Sequence, residues 1–315
     1  VAVAGAFVYF SFSHPLVRAG AMLLVVAGSM GVGTNSHTSS HYATSRRRWL
    51  NELLTFFGYP FILGLSATSW WHRHVVVHHP SPNVIGVDED ADLSPWFART
   101  RDERDSRTGW VRFYYRNLQW LVLPLLLAVN GFNMQRSGWA FLLGRLRDRN
   151  SRKAKHWIDL ACLALHYAGL IAVPAYFVGA LPALGFYLWR NILMGYAMFS
   201  VLAPGHFPAE AACLRSDRRP SDFALLQTAA TVNFTTGRLG RLFCSGLEYQ
   251  IEHHLFPELS HVYYPQASAI VKDFCGRHGL PYRSFPWHIA LWKCFTMFRR
   301  PPAIEHSLPV AEWRL

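Results

Sequence analysis

Long apolar runs alternate with polar stretches along the chain, and the lengths of the runs set the first expectation. Residues 1–13 are apolar and aromatic until Ser13-His14-Pro15 breaks them, and residues 16–34 form a second run interrupted only by Arg18. Residues 157–178 and 181–202 are two further runs, joined through Gly179-Ala180. A bilayer core takes about 20 apolar residues per helix. The four runs predict four membrane spans in two hairpins, the first of them short. Two more runs, 50–69 and 113–133, carry Gly58, Pro60 and Gly64, and Pro124, respectively. If either crossed, residues that belong on one face would fall on two. Both are therefore expected to lie in the interface or to re-enter it. The remainder of 35–156 and all of 203–315 form a polar cap. The whole of 1–315 reads as one domain of an all-α integral membrane protein.

Charge gives that arrangement an orientation. The 315 residues are 51% hydrophobic yet carry a formal charge of +12, with 12 Trp, 13 Tyr and 22 Phe. Arg46-Arg47-Arg48 follows the second run, and residues 134–156 hold Arg136, Arg145, Arg147, Arg149, Arg152, Lys153 and Lys155 against Asp148 alone. Bases beside spans mark the cytosolic side, so the cap is expected there. The bases flank apolar runs and no nucleic-acid motif accompanies them, which excludes a nucleic-acid partner. Five cysteines with no CxxC suggest neither disulfides nor a zinc knuckle. The first run lacks a small-residue cleavage site, which argues against a signal peptide, and residues before Val1 are expected.

Histidine spacing supplies the chemistry. His37 and His41 stand one helical turn apart. His72, His74, His78 and His79 fall within eight residues, after Trp70-Trp71. Gln250-Ile251-Glu252-His253-His254-Leu255-Phe256-Pro257 places two adjacent imidazoles three residues after a glutamine. An isolated HxxxH pair is weak evidence. Four imidazoles in one short stretch are not, because burying them without partners is costly, and neutral imidazole is the commonest metal ligand. His261 follows the third cluster closely enough to support it. His14, His156, His278, His288 and His306 are isolated. Inside the spans, His166 and Arg190 are ionisable groups expected to face the protein interior, either paired with each other or lining a substrate path with Trp70 and Trp71.

These stretches resemble the membrane-bound fatty acyl desaturases, in the branch whose third histidine box begins with Gln. Box one is His37-xxx-His41 and box three is Gln250-xx-His253-His254, with Leu255-Phe256-Pro257 and Tyr264-Pro265 beyond it. Trp70-Trp71 before box two, and Pro82-Asn83 and Asp90-x-Asp92 after it, also match, so the likeness extends from the second span to about Tyr282. The resemblance implies two Fe2+ ions held by His37, His41, His74, His78, His79, His253 and His254. It adds His206, in Pro204-Gly205-His206-Phe207, and Gln250 as its least certain member. Asn233 matches a position expected to support the ligands from behind. One departure concerns box two, usually His-x-x-His-His in the family, whereas position 75 here is Val. His74 is the expected ligand and His72 its neighbour, because His72 lies two turns, roughly 10 Å, from His79 along an α-helix.

What the resemblance implies chemically suits the residue types. Removing two hydrogens from an unactivated alkyl chain takes iron and O2, not side-chain acids and bases, and the soluble di-iron Glu-x-x-His pattern is missing. The substrate is an acyl chain on CoA, an acyl carrier protein or a lipid. The chain carries no flavin or nicotinamide fingerprint and no cytochrome b5-like haem segment, so a separate ferredoxin, or a cytochrome b5 with its reductase, is expected as donor. The Arg-rich loops suit such an acidic partner or anionic membrane lipid. A hydroxylase or acetylenase on the same scaffold is the alternative within the class. A non-catalytic metal-binding or transport protein is the alternative outside it, although transport sites sit at mid-membrane depth.

Overall fold

The structure, a computed structural model, describes residues 1–304, so His306 lies outside the described residues. In chain order the helices are α1 (Ala2–Ser11), α2 (Pro15–Ser40), α3 (Arg48–Leu63), α4 (Ala67–His78), α5 (Arg101–Ser106), α6 (Gly109–Asn117) and α7 (Gln119–Arg147). They continue as α8 (Ala154–Val178), α9 (Ala180–Leu202), α10 (Phe223–Ala230), α11 (Arg238–Cys244), α12 (Gln250–Leu255), α13 (Tyr264–His278) and α14 (Trp287–Arg299). The expectation of helices alone needs one amendment. Strands β1 (Asn233–Thr235) and β2 (Ser284–Pro286) pair in parallel, with Phe234 opposite Phe285. The described backbone divides into two compact units, residues 1–72 with 125–198, and residues 73–124 with 199–304.

Two helices of the first unit, α2 and α8, are long and apolar enough to cross a membrane. Helix α1 is ten residues long, matching the short first run. Helix α9 is continuous over 23 residues, but Arg190 and Asn191 sit in its middle and it falls short of the same hydropathy test. Met22, Val25 and Phe186 form a small core with Tyr9 and Phe10 packed against it. Helices α7 and α9 approach closely at Gly195, where a Cβ would stand 2.0 Å from the Leu127 carbonyl oxygen, so only glycine allows the contact.

The run at 113–133 does not end where its apolarity ends. Helix α7 continues through Arg136 and Arg145 to Arg147, so most of the expected loop 134–156 is helical and only residues 148–153 are not. Arg, Leu and Met are good helix formers, no proline follows Pro124 in the helix, and it runs through Gly138 and Gly144 as far as Arg147, before Asp148-Arg149-Asn150. The run at 50–69 does break. Helices α3 and α4 meet at 115° across Gly64, whose φ of +74° is left-handed.

A helix broken among apolar neighbours must find partners for its freed backbone groups. Three successive carbonyls at the end of α3 find them in side chains from α7, α8 and α9. His166 Nδ1 lies 3.0 Å from the Phe61 oxygen. Arg190 Nη2 donates to Ile62 at 2.6 Å, and Gln135 Nε2 to Leu63 at 3.3 Å. On the far side of the break, Asp159 accepts from the Ala67 and Thr68 amides at 3.1 and 2.9 Å and from the Ser66 and Thr68 hydroxyls at 2.7 and 2.6 Å. His166 and Arg190 therefore do not pair with each other, as sequence reasoning had allowed. Each caps its own carbonyl, which is the structural use of an ionisable group at this depth. Asp159→Ala strands two buried amides, each costing about 1–3 kcal/mol. Its expected effect is a lower yield of folded protein, read by size-exclusion chromatography in detergent. An unchanged yield and melting temperature would reject the capping role.

Candidate metal centre

Box one ends α2. His37 and His41 are buried with ring centroids 5.0 Å apart. The turn is pinned from the start of the next broken segment. Trp70 Nε1 donates to Ser40 Oγ at 3.1 Å, Trp71 Nε1 donates to the Ser40 carbonyl at 2.9 Å, and Ser40 Oγ donates to the His37 carbonyl at 2.7 Å. Trp70 also meets His37 edge-on at 5.8 Å. The two tryptophans, expected to line a substrate path, are thus tied by their ring N–H groups to the histidine turn.

The second unit brings six imidazoles together in two sets. One nitrogen from each of His74, His79 and His253 lies within 4.8 Å of the others, and the same holds for His78, His206 and His254. The last turn of α4 explains how box two contributes. Residues Trp71–His78 wind as a π-helix, and the His79 amide bonds the His74 carbonyl five residues back, at 3.1 Å. A π turn holds one residue more than an α turn. It absorbs the extra valine between His74 and the His78-His79 pair, so His74 takes the place that position 75 would have in the usual spacing. His74 Nε2 and His79 Nε2 are 3.3 Å apart. His72, by contrast, stacks on Phe141 at 5.3 Å.

Most of the rings are fixed from behind through Nδ1, which turns Nε2 toward the centre of each set. His78 Nδ1 lies 2.8 Å from Asp88, His74 Nδ1 3.2 Å from Asp90, His254 Nδ1 3.0 Å from Gln227 and His253 Nδ1 3.2 Å from the Tyr264 hydroxyl. His206 follows the short 3-10 turn Ala203–Gly205 beyond α9, and its carbonyl accepts from Asn83 Nδ2 and Arg99 Nη2, both at 2.9 Å. Burial, helped by the charge of neighbouring His78, pushes the His206 imidazole down to about 3, so it is neutral and able to ligate. Asp88 is held at about 2: burial works against ionisation, but the charge and hydrogen bond of His78 and the Asn83 amide outweigh it.

The remaining expected site residues have definite places. Gln250 packs on Gly205, beside His206, where a Cβ would meet its Cγ at 2.2 Å. Asn233 acts on the backbone and neighbours of the third box. Its Nδ2 donates to Glu252 at 2.8 Å and its Oδ1 accepts from the Ile251 amide at 2.9 Å, which fixes the first turn of α12. His261 sits against Gly246. Sequence reasoning did not single out Asp88, Arg99, Gln227 or Tyr264 as ligand supports. The stretch 81–109 belongs to the expected polar cap, yet Asp88 and Arg99 are both buried.

An all-imidazole donor set with outward-anchored Nδ1 atoms fits ferrous iron, whose nitrogen ligation leaves positions open for O2. Each of the two histidine sets could hold a metal ion. The model of the fatty acid desaturase family matches residues 13–286, and the chain belongs to that family. It is 28% identical to the Delta(5) fatty acid desaturase fat-4 of Caenorhabditis elegans over 93% of this chain and 65% of that protein. It is 27% identical to the sn-1 linoleoyl-lipid 6-desaturase of Synechocystis over 90% of this chain and 80% of the relative. It is 26% identical to human Fatty acid desaturase 3 over 81% of this chain. The chain spans 55% of the human protein's length, and less than two-thirds of the nematode protein's.

Proposed function

We propose that this chain is an O2-dependent, non-haem di-iron fatty acyl desaturase. The observation that carries the reading is the pair of imidazole sets, His74/His79/His253 and His78/His206/His254. By the family resemblance, His37 and His41 complete the ligands of the first. Gln250 serves the second by packing on Gly205, next to His206. Bound iron with O2 supplies the oxidant for breaking two adjacent C–H bonds. The chain's own part is to hold the imidazoles aimed, and to align the acyl chain so that one pair of methylenes is presented. The relatives are named for Delta(5), Delta(8) and lipid-linked 6-desaturation. An unsaturated acyl product, free or lipid-bound, is the expectation here.

The membrane arrangement belongs to the same reading. Helices α1, α2, α8 and α9 form the four spans, with the ligand histidines on the cytosolic face beside the Arg-rich segments. Reducing equivalents come from a ferredoxin- or cytochrome-type donor. The test is mass spectrometry of acyl groups from cells producing the protein, against His253→Ala. A new unsaturated species with the parent protein and none with the variant, together with two irons per chain, is the expected result. Zinc as the sole metal, with no product after addition of a reductase, would reject the proposal.

A further inference from the structure

Arg99 is an unusual resident of a metal site. Its side chain is 94% buried, and its contacts are the Asn83 side-chain oxygen at 3.1 Å, the Ala91 carbonyl at 3.0 Å, the His206 carbonyl at 2.9 Å and the face of Phe207 at 4.6 Å. None of these is a carboxylate, and Nε has no hydrogen-bond partner. A buried cation without a counter-ion is costly. It is bonded to the backbone of His206, in the set that also contains His78 and His254.

The other set has a different electrostatic setting. Its cation, Arg73, is spent on Glu89 and Asp90, at 3.4 Å each, and Asp90 in turn holds His74. His253 is held by the neutral Tyr264 hydroxyl. The two sets thus offer similar imidazoles in unlike fields. One has a guanidinium paired with two carboxylates at its edge; the other has a guanidinium with no carboxylate partner behind His206, and Asp88 behind His78.

On the reading of the site given above, we propose that Arg99 is a positioning and charge-setting residue for the His78/His206/His254 metal. Its planar fork fixes the backbone of His206. Its charge favours the lower oxidation state there, which separates the two irons in redox potential. The step concerned is Fe(III) plus one electron giving Fe(II), with the electron taken from a mediator. A fixed positive charge in a low-dielectric surround opposes the more positive metal ion, and so raises that potential. Two inequivalent irons would accept electrons singly from a one-electron donor instead of as a pair.

The experiment is a mediated potentiometric titration of the purified, 57Fe-loaded protein, followed by Mössbauer and EPR spectroscopy. In the parent protein the two irons are expected to reduce at separate potentials, with a mixed-valence state accumulating between them. Arg99→Gln keeps a donor for the His206 carbonyl and removes the charge; it is expected to load two irons and to shift the higher potential downward. Arg99→Lys keeps the charge and loses the fork, and its higher potential is expected to stay at the parent value. Two loaded irons in Arg99→Gln with an unchanged titration overturn the proposal, as does a lowered potential in Arg99→Lys. If neither variant loads iron, the parent titration decides: separate steps support the proposal and one joint step overturns it. A parent protein that binds no iron would instead refute the desaturase reading on which this rests.

Discussion

His74→Ala is expected to remove one of two irons and to abolish the unsaturated product, whereas His72→Ala leaves both within about twofold of the parent protein. The contrast follows from the winding of α4. On an ideal α-helix, His74, His78 and His79 do not reproduce the usual box-two geometry, because one residue too many separates the first from the pair. The π-helical stretch Trp71–His78 and the His79-to-His74 amide bond at 3.1 Å take up that residue. His74 then meets His79 nitrogen to nitrogen, and Asp90 holds its other nitrogen. His72 stacks on Phe141 and contributes packing alone. Iron analysis of the two purified variants, with acyl-group mass spectrometry of the producing cells, reads both halves. Two irons and normal product in His74→Ala would show that the π turn does not deliver a ligand.

The same turn shows how much of the site could be read in advance. The three clusters, and the preference for His74 over His72, followed from spacing and family likeness. The π turn did not, since periodicity arguments assume one winding throughout. The break at Gly64 was foreshadowed by Gly58, Pro60 and Gly64, and by the need to keep the histidine clusters on one face. Its caps were invisible. Asp159 and Arg190 are separated from the break by about a hundred residues of chain, and only packing brings them to it. A sequence also does not distinguish a buried acid from a solvated one. Asp88, Glu89, Asp90 and Asp92 read as one polar loop, yet Asp88 is among the most buried carboxylates of the described residues. The length of α7 was missed for a related reason, because a run of arginines suggests a loop by charge while its helix propensity favours continuation.

Asp88→Ala is expected to be as damaging as loss of a ligand, lowering iron affinity by at least the 10–100-fold typical of outer-shell partners and bringing product below detection. Its carboxylate serves more than one histidine. One oxygen holds His78 Nδ1 at 2.8 Å and accepts the Asn83 amide at 2.7 Å; the other accepts the Asp90 and Ala91 amides at 3.0 and 3.3 Å. Asp90 then orients His74, and Asn83 holds the His206 carbonyl. Three ligand positions, drawn from both imidazole sets, therefore depend on one acid. Its removal also strands buried amides at about 1–3 kcal/mol each. Asp88→Asn separates the two effects. It keeps an acceptor for part of the backbone but loses the charge that complements His78, so it is expected to retain the loop and still bind iron poorly. Hydrogen exchange over residues 83–91 reads the loop and metal analysis reads the site. Protection lost in Asp88→Ala but kept in Asp88→Asn, with iron low in both, is the predicted pattern. Full iron occupancy in Asp88→Ala would mean that His78 keeps its orientation without the carboxylate.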